Sequence, residues 1–134
     1  MNNIAVPSVV QQLQTLLETT TAFTTNMQEF TDHFFAPGIY LRTLFIPKGF
    51  MLVGKYHKEE RLTILLKGKL SLVAHDNTRL VCEAPYIFLA GVGKKAGYAA
   101  VDSWIANIFP NPTDERDLDK LERMNILLDE EILQ

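Results

Sequence analysis

One histidine in a charged stretch is the residue of this sequence whose spacing most suggests site chemistry. The stretch GKYHKEERLTILLKG covers residues 54–68 and runs from charged residues into an apolar segment that stops at a glycine. Residues two apart on a strand share a face, so Lys55 and His57 would point the same way, and Glu59 would join them. Imidazole and carboxylate groups can bind a divalent transition metal, whereas a charged lysine cannot. The pattern indicates a metal site, the remains of one, or a strand with an incidental histidine.

The other residues that could do chemistry lie in surroundings that favour structural roles. His33 precedes an aromatic pair, which predicts packing or surface exposure, and His75 lies in AHDN, a hairpin-turn signal. Cys82 is the single cysteine, so it forms no intramolecular disulfide, and its strand-like surroundings predict a buried, inert thiol. The sequence contains no nucleophile elbow, Walker loop, dinucleotide fingerprint or zinc-spaced cysteine pair. The motifs therefore indicate no familiar catalytic centre.

The elements that must position these groups begin with a helical section, residues 1–36. Ser8 and Gln11 fit a capping box, and the apolar residues that follow them recur along one helix face. The β-branched residues of TTTAFTTN predict the end of that helix. Asn26 then predicts the start of a second short helix through MQEFTDHFF, which must end before Pro37.

The middle section, residues 38–109, changes to a strand pattern. Turn residues at near-regular spacing separate eight short β-type runs: IYLRTLFI, FMLVGKY, RLTILL, KLSLVA, TRLVCEA, YIFLA, GYAAV and SWIANIF. Such spacing predicts an antiparallel sandwich or barrel and disfavours alternating β and α units. We therefore expect a jelly-roll or β-barrel core in this section.

The last section, residues 113–134, predicts an amphipathic helix that Thr113 or Asp114 caps, with an acidic first turn. Apolar residues recur every three to four positions along it: Leu118, Leu121, Leu128 and Ile132. At 134 residues, the three sections are expected to form a single domain. The expected fold class is mainly β, an antiparallel jelly roll with N- and C-terminal α-helices.

The middle section resembles the cupins, which are small jelly-roll barrels. Residues 47–68, PKGFMLVGKYHKEERLTILLKG, are similar to the first cupin signature, in which a glycine precedes two histidines, a glutamate and a second glycine. AGVGKKAGYA, after EAPYIFL, is similar to the second signature, which carries one more histidine. The resemblance covers residues 38–109, a little over half of the chain. More narrowly, YLRTLFIPKG, GKYHK and TDERDLDKLE resemble small cupin-like proteins encoded by bacteriophages.

The resemblance also implies where the metal ligands of a cupin would stand in this sequence. His57 falls at the second histidine of the first signature. The other three ligand positions carry Lys55, Arg61 or Leu62, and Lys95 or Ala96. Since at most one of the four usual ligands is retained, we expect no bound metal, no cofactor and no metal-dependent catalysis.

A polar lining of the barrel is the remaining candidate for a ligand site. Arg42 shares a strand face with Tyr40, and an inward-facing guanidinium needs partners because burying it unpaired is costly. The expected partners are Glu59, Glu60 or Tyr98. Two interpretations stay open: a structural polar cluster, or a site for a small anionic ligand. The residues predicted to line that site are Tyr40, Arg42, His57, Glu60, Lys95 and Tyr98.

Charge and composition exclude several classes of function. The net charge of −3 provides no basic excess, so we expect no nucleic-acid partner. The first residues, MNNIAVPSVVQQ, do not resemble a signal peptide, and no apolar run approaches the length of about 18 residues that predicts a membrane span. We therefore expect a protein of the host cytoplasm or one associated with the virion.

Three classes of function remain open. The favoured hypothesis is a non-catalytic cupin-like module that acts through protein contacts, as a homo-oligomer (a dimer or higher) or with other phage proteins. The apolar stripes of the two terminal helices support it, because such stripes pair helices between subunits. The alternatives are a metal-free enzyme of the sugar-isomerase type, which would use His57 with Tyr98 or Glu60 as acid and base, and a small-molecule binder that uses the barrel cup.

Overall fold

A computed structural model describes residues 10, 12, 30–74 and 76–127, and these ranges consist mainly of antiparallel strands. The elements in chain order are β1 Thr31–Ala36, β2 Ile39–Ile46, β3 Met51–Val53, β4 Tyr56–His57, β5 Arg61–Lys67, β6 Lys69–Val73, β7 Arg79–Glu83, β8 Tyr86–Ala90, β9 Ala96–Ala99, β10 Ser103–Pro110, α1 Leu118–Asn125 and β11 Ile126–Leu127. Each of the eight predicted runs contains a strand. The prediction of a mainly β, antiparallel fold is therefore confirmed.

The strands form two large sheets and one short ribbon. The five-stranded sheet has the order β1-β2-β10-β5-β8, and the four-stranded sheet has the order β3-β9-β6-β7. In the ribbon, β11, the last strand of the described chain, pairs with β4. Non-consecutive strands lie side by side in both large sheets, as in a jelly roll.

An apolar cluster packs the two large sheets against each other. Its buried members come from both sheets: Ile46, Leu65, Leu70, Cys82 and Ala99. We call these five residues the apolar end of the interior. Cys82 is buried, as predicted, and burial raises the pKa of its thiol, which keeps the sulfur protonated and unreactive at neutral pH. Leu65 and Leu70 are among the largest fully buried side chains and are 0% and 1% exposed. This end is therefore the hydrophobic core.

The N-terminal section differs from its prediction. Residues 31–36 were predicted to be helical, but they form strand β1, which pairs along its whole length with β2. Pro37 and Gly38 form the turn between the two strands, and Gly38 has φ +75°, a conformation that glycine adopts without strain. The turn reverses the direction of the chain, so every residue of β1 pairs with a residue of β2. Val10 and Gln12 are helical, and the rest of the first predicted helix lies outside the described residues.

The C-terminal section also differs from its prediction. Helix α1 begins after Asp117, whose carboxylate accepts hydrogen bonds from the backbone N–H groups of Asp119 and Lys120 at 3.0 and 3.3 Å. The predicted cap Asp114 instead accepts a hydrogen bond from the backbone N–H of Gly38 at 2.7 Å. The helix ends at residue 125, because Ile126 and Leu127 pair with β4. Leu128 and Ile132 lie outside the described residues. No helix in the described part of the chain has the length and apolarity to cross a membrane.

Candidate functional site

On the inner face of the five-stranded sheet, a row of apolar side chains is followed directly by a row of polar ones, two residues further along each strand. β2, β10 and β5 lie side by side, so residues in register form rows across the sheet. One row contains Leu44, Ile105 and Leu65, and the next contains Arg42, Asn107 and Thr63. Beyond the polar row, Tyr40 pairs with Phe109. The end of the interior that lies away from the apolar end is therefore built from charged, polar and aromatic side chains.

Two cations meet at one backbone carbonyl in this polar region. Lys95 Nζ donates to the oxygen of Gly91 at 2.7 Å, and Arg61 Nη1 donates to the same oxygen at 3.4 Å. Arg61 Nε also donates to Asn107 Oδ1 at 3.0 Å, and Thr63 Oγ1 donates to that oxygen at 3.0 Å. We call the Arg61–Lys95 pair the Gly91 anchor. A shared neutral acceptor fixes the positions of both cations without cancelling either charge.

A third cation and the buried histidine meet at an aromatic ring. The Arg42 guanidinium lies 5.4 Å from the centroid of the Phe109 ring, and the His57 ring stacks on Phe109 at 6.0 Å. Tyr40 stacks on Phe109 as well, at 5.4 Å, and its hydroxyl lies 2.7 Å from His33 Nδ1. We call Arg42 and His57 on this ring the Phe109 anchor. The two anchors together form what we call the cationic cup: Arg42, His57, Arg61, Lys95 and Phe109.

His57 is neutral and has an unsatisfied nitrogen. Backbone hydrogen bonds with Gly93, at 3.1 and 3.0 Å, and pairing with Ile126 hold its strand in place. The side chain is 6% exposed, and its buried Nδ1 has no hydrogen-bond partner among the described residues. Burial, together with the positive charges of Arg61, Arg42 and Lys95, lowers the pKa of His57 to about 2. A buried polar atom without a partner is rare in a folded protein and marks this position as a candidate ligand contact.

Burial and a neighbouring cation lower the pKa values of Arg61 and Lys95, which still carry charge at pH 7. Burial and the neighbouring Arg42 lower the pKa of Arg61 to about 10, while burial and Arg61 lower the pKa of Lys95 to about 8. Burial also lowers the pKa of Arg42. No ion pair within the described residues includes any of these three side chains. The cup therefore concentrates three positive charges around a neutral imidazole.

The residues at the cupin ligand positions do not fit a transition metal. The structure buries Arg61 and exposes Leu62, so a guanidinium occupies the position of the glutamate. Lys55, at the position of the first histidine, forms an ion pair with Glu122 of α1. Among the described residues, no group of three histidine, cysteine, aspartate or glutamate side chains could hold a metal ion. A cation would meet repulsion where the cupin signature places its ligands.

The structure brings together four of the six residues predicted to line a ligand site. Tyr40, Arg42, His57 and Lys95 lie in or beside the cationic cup. Glu60 is exposed, and Tyr98 is 42% exposed because it shares a row with Met51 and Ser71 on the outer face of the four-stranded sheet.

The partners expected for Arg42 also differ from the prediction. Glu59, Glu60 and Tyr98 are all exposed, and the guanidinium faces the Phe109 ring instead. Both glutamates lie in the exposed segment between β4 and β5. Arg42 therefore keeps its positive charge uncompensated by the expected carboxylates.

Sequence reasoning missed three residues that shape the site: Asn107, Phe109 and Gly91. The signal for the first two was present, since Asn107 and Phe109 alternate with apolar residues on the predicted strand SWIANIF. Gly91 contributes only its backbone carbonyl, and no side-chain pattern could have indicated that role. His33, assigned to packing or the surface, is half-buried beside Tyr40 and agrees with the packing interpretation.

Known structures share this architecture although the sequence is remote from known families. No protein-family model and no curated protein matches the sequence. An RmlC-like cupin from Shewanella frigidimarina superposes with a TM-score of 0.52 at 13% identity, covering 66% of this chain and 78% of that chain. A cupin 2 domain-containing protein from Halorhodospira halophila superposes with a TM-score of 0.52 at 15% identity, covering 78% and 83%. The chain has the cupin fold.

A further match shows how broadly this cupin fold is shared. The KdgF protein of a Halomonas species superposes with a TM-score of 0.50 at 13% identity, covering 66% of this chain and 81% of that chain. Identities at this level show a common fold and leave the ligand and the chemistry to be argued from the site itself. In this chain, that site is the cationic cup.

Proposed function

We propose that this chain is a metal-free, non-catalytic cupin-like module that works by binding, and that its cup takes a small anion. The carrying observation is the reversal of charge at the cupin ligand positions. Where the cupin signature places histidines and a glutamate, this chain has Lys55, Arg61 and Lys95 beside His57. Groups that coordinate a cation are replaced by groups that attract an anion.

The geometry of the cations supports binding over a purely structural role. A structural polar cluster is expected to satisfy its charges internally, because a buried, unpaired charge is costly. Here the Gly91 anchor shares one neutral carbonyl, and the Phe109 anchor places Arg42 on an aromatic face. Within the part of the chain that the structure describes, His57 Nδ1 also has no hydrogen-bond partner. An anion in the cup would compensate the charges and accept or donate the missing hydrogen bond.

The alternative of a metal-free isomerase has less support. That chemistry needs His57 and either Tyr98 or Glu60 within reach of one substrate. Tyr98 and Glu60 are exposed, whereas His57 is buried between the sheets. The pKa of His57, lowered to about 2, also makes the imidazole a weak base at neutral pH. The arrangement favours a ligand site over an acid–base pair.

A panel of small anions tests this proposal. Isothermal titration at pH 7 and low salt would compare acetate, malonate and inorganic phosphate with the uncharged malonamide. We expect anion binding that Arg61→Gln weakens about tenfold or more, since a hydrogen bond to a charged group contributes roughly 1.5–3 kcal/mol. Lys67→Gln is the matched control, because Lys67 is exposed on the same strand. Absence of binding by every anion, or equal loss in both variants, would contradict the proposal.

Contacts between copies of this chain are a second proposed role, and an exposed apolar strip favours it. Leu62, Ile87 and Leu89 lie on the outer face of the five-stranded sheet and are 45%, 65% and 62% exposed. β8 is the edge strand of that sheet, and its sequence YIFLA carries no charge that would discourage pairing. A second copy that pairs its own β8 with this edge would continue the sheet and place the two apolar strips side by side, where each shields the flank of the other.

The route through α1 has less support for this second role. Leu121, expected to face another subunit or its own barrel, packs in its own chain with Tyr40 and Phe109.

The resemblance to phage-encoded proteins extends the proposal to other phage proteins, in the host cytoplasm or on the virion.

Light scattering on the full chain tests self-association through β8. We expect a dimer or higher species that Ile87→Lys converts to monomer, because a charge on the strip opposes its burial. Val81→Lys is the matched control, since Val81 is 64% exposed on the other large sheet. A wild-type monomer at high concentration, or dissociation in both variants, would contradict self-association through this edge.

A further inference from the structure

We propose that the ligand of the cationic cup is a compact dianion, such as a small dicarboxylate or a phosphate monoester, that contacts both anchors at once. This inference rests on the proposed function, because it specifies which anions the cup prefers. The Gly91 anchor would hold one part of the negative charge, and the Phe109 anchor would hold the other.

The number of cations argues for more than one negative charge on the ligand. Arg42, Arg61 and Lys95 face the same space, and no ion pair within the described residues includes them. Their mutual effect appears as lowered pKa values, since Arg42 acts on Arg61 and Arg61 acts on Lys95. Among the described residues, Asp76 offsets part of the charge of Lys95, since it raises that pKa, but no carboxylate acts on Arg42 or Arg61, so a monoanion would still leave positive charge uncompensated. A dianion brings the cup closer to neutrality and therefore gains more from binding.

The separation of the cations into two anchors argues for two points of contact. Arg61 and Lys95 are fixed by Gly91 and Asn107, whereas Arg42 is fixed on the Phe109 ring. His57 lies close to both anchors. Its ring stacks on Phe109, and Arg61 is the charge that affects its pKa most. Its free Nδ1 offers a third, neutral contact to a ligand that extends from one anchor to the other.

The surroundings of the cup limit the size of the ligand. Facing sheets lie about 10 Å apart, so a molecule between them must be small. The apolar end begins one row beyond the polar row, where Leu44, Ile105 and Leu65 close the interior. Phe109 and Tyr40 line the opposite side with flat aromatic surface. These limits favour a compact dianion over an extended ligand.

The ranking of anions tests the inference. Isothermal titration at pH 7 and low salt would use acetate as the monoanion, malonate as the dicarboxylate, methyl phosphate as the phosphate monoester and malonamide as the uncharged isostere of malonate. We expect malonate or methyl phosphate to bind at least about tenfold more tightly than acetate, with no binding of malonamide. The relative affinities of malonate and methyl phosphate then identify which kind of dianion the cup takes.

Variants of each anchor test whether both contacts are used. Arg42→Gln and Arg61→Gln each remove one charge, and each should lower the affinity for the dianion at least about tenfold while changing that for acetate less. Arg42→Lys keeps the charge and should retain more affinity than Arg42→Gln. Lys67→Gln should leave both affinities unchanged. Cooperative thermal unfolding of every variant would show that a loss of binding is not a loss of fold.

The outcomes separate this inference from the proposed function on which it rests. Acetate binding as tight as that of both dianions would overturn the dianion inference and leave an anion-binding cup. A dianion that responds to Arg61→Gln but not to Arg42→Gln would also overturn it, because only one anchor would be in use. If no anion bound at all, the proposed function itself would fail.

Discussion

The two ends of the space between the sheets share strands β2 and β5 and differ in almost every physical respect. β2 contributes Ile46 to the apolar end and Arg42 to the cationic cup, and β5 contributes Leu65 to one and Arg61 to the other. At the apolar end the buried side chains are hydrocarbon or thiol and pack against each other. In the cup, three cations, a neutral imidazole and an aromatic ring share one small volume.

That contrast separates residues that hold the fold from residues that bind. Burial of apolar side chains at one end supplies the hydrophobic stabilisation of the sheet sandwich. The cup, with its mutual repulsion and an unsatisfied His57 Nδ1, opposes folding unless a ligand compensates it. Natural proteins retain such unfavourable local chemistry mainly where it serves a function. The difference between the two ends is therefore the observation that most favours the cationic cup as the proposed binding site.

Breaking the apolar end should have the largest effect on stability. Leu65→Ala removes a fully buried side chain from the cluster between the sheets, and we expect the free energy of unfolding to fall by about 2–5 kcal/mol. Leu66→Ala is the control, since Leu66 is the next residue of β5 and is 40% exposed. Denaturant unfolding at pH 7 measures both. A loss below about 1 kcal/mol in Leu65→Ala would contradict a close-packed apolar end.

Acid should destabilise the protein through the cup. His57 has a folded pKa of about 2 against 6.5 for the free side chain, so the unfolded state binds more protons between those values. The stability that this group contributes is therefore fully present above pH 6.5 and is lost as the pH decreases towards 2. Between pH 6.5 and 5, this one group should lower the free energy of unfolding by about 2 kcal/mol.

The comparison with variants isolates the contribution of His57. Denaturant unfolding at several pH values should show a smaller loss between pH 6.5 and 5 in His57→Asn than in the wild type. His33→Asn should keep most of the wild-type loss, because burial lowers the pKa of His33 as well but that side chain is only half-buried. Equal pH dependence in the wild type and His57→Asn would show that His57 is not held neutral by the cup.

Replacing a cation of the cup with an apolar residue should stabilise the protein, whereas truncating a side chain at the apolar end should destabilise it. Arg42→Met keeps a flexible side chain against Phe109 and removes one cation from the cluster, so we expect a gain in stability of about 1 kcal/mol. The same variant should lose affinity for malonate. Arg79→Met, at an exposed position on β7, should change stability by less than about 0.5 kcal/mol. A large loss of stability in Arg42→Met would indicate that Arg42 is internally satisfied.

Most of the fold followed from local sequence pattern, and the two errors have a common physical cause. The β-type runs were recognisable because turn residues separate them. β1 was predicted to be helical because TDHFFA has no strand signal strong enough on its own, yet pairing with β2 across the Pro37–Gly38 turn makes it a strand. Ile126 likewise leaves the helix because it pairs with His57. Non-local pairing overrides local propensity at both ends of the barrel.

The site could be predicted only where strand alternation decided the direction of a side chain. Arg42 follows from alternation with Tyr40, whereas Arg61 and Leu62 could not be separated without the register that buries the first and exposes the second. Lys95 lies in the segment before β9, where the alternation rule does not apply. Tyr98 was wrongly expected to face inwards, since its face depends on pairing with Met51 and Ser71, which no local pattern reveals.

The smallest expected effect comes from the two predicted lining residues that the structure places outside the cup. Tyr98→Phe removes an exposed hydroxyl on the outer face of the four-stranded sheet, and Glu60→Gln removes an exposed charge before β5. Surface substitutions of this kind change stability by less than about 0.5 kcal/mol, so both variants should unfold like the wild type. Isothermal titration with malonate should also give wild-type affinity for Tyr98→Phe, while Arg61→Gln in the same experiment shows the loss expected of a cup residue. Tenfold weaker binding in Tyr98→Phe would mean that the ligand reaches beyond the interior to the outer face of the sheet, and the boundary drawn between cup and surface would be wrong.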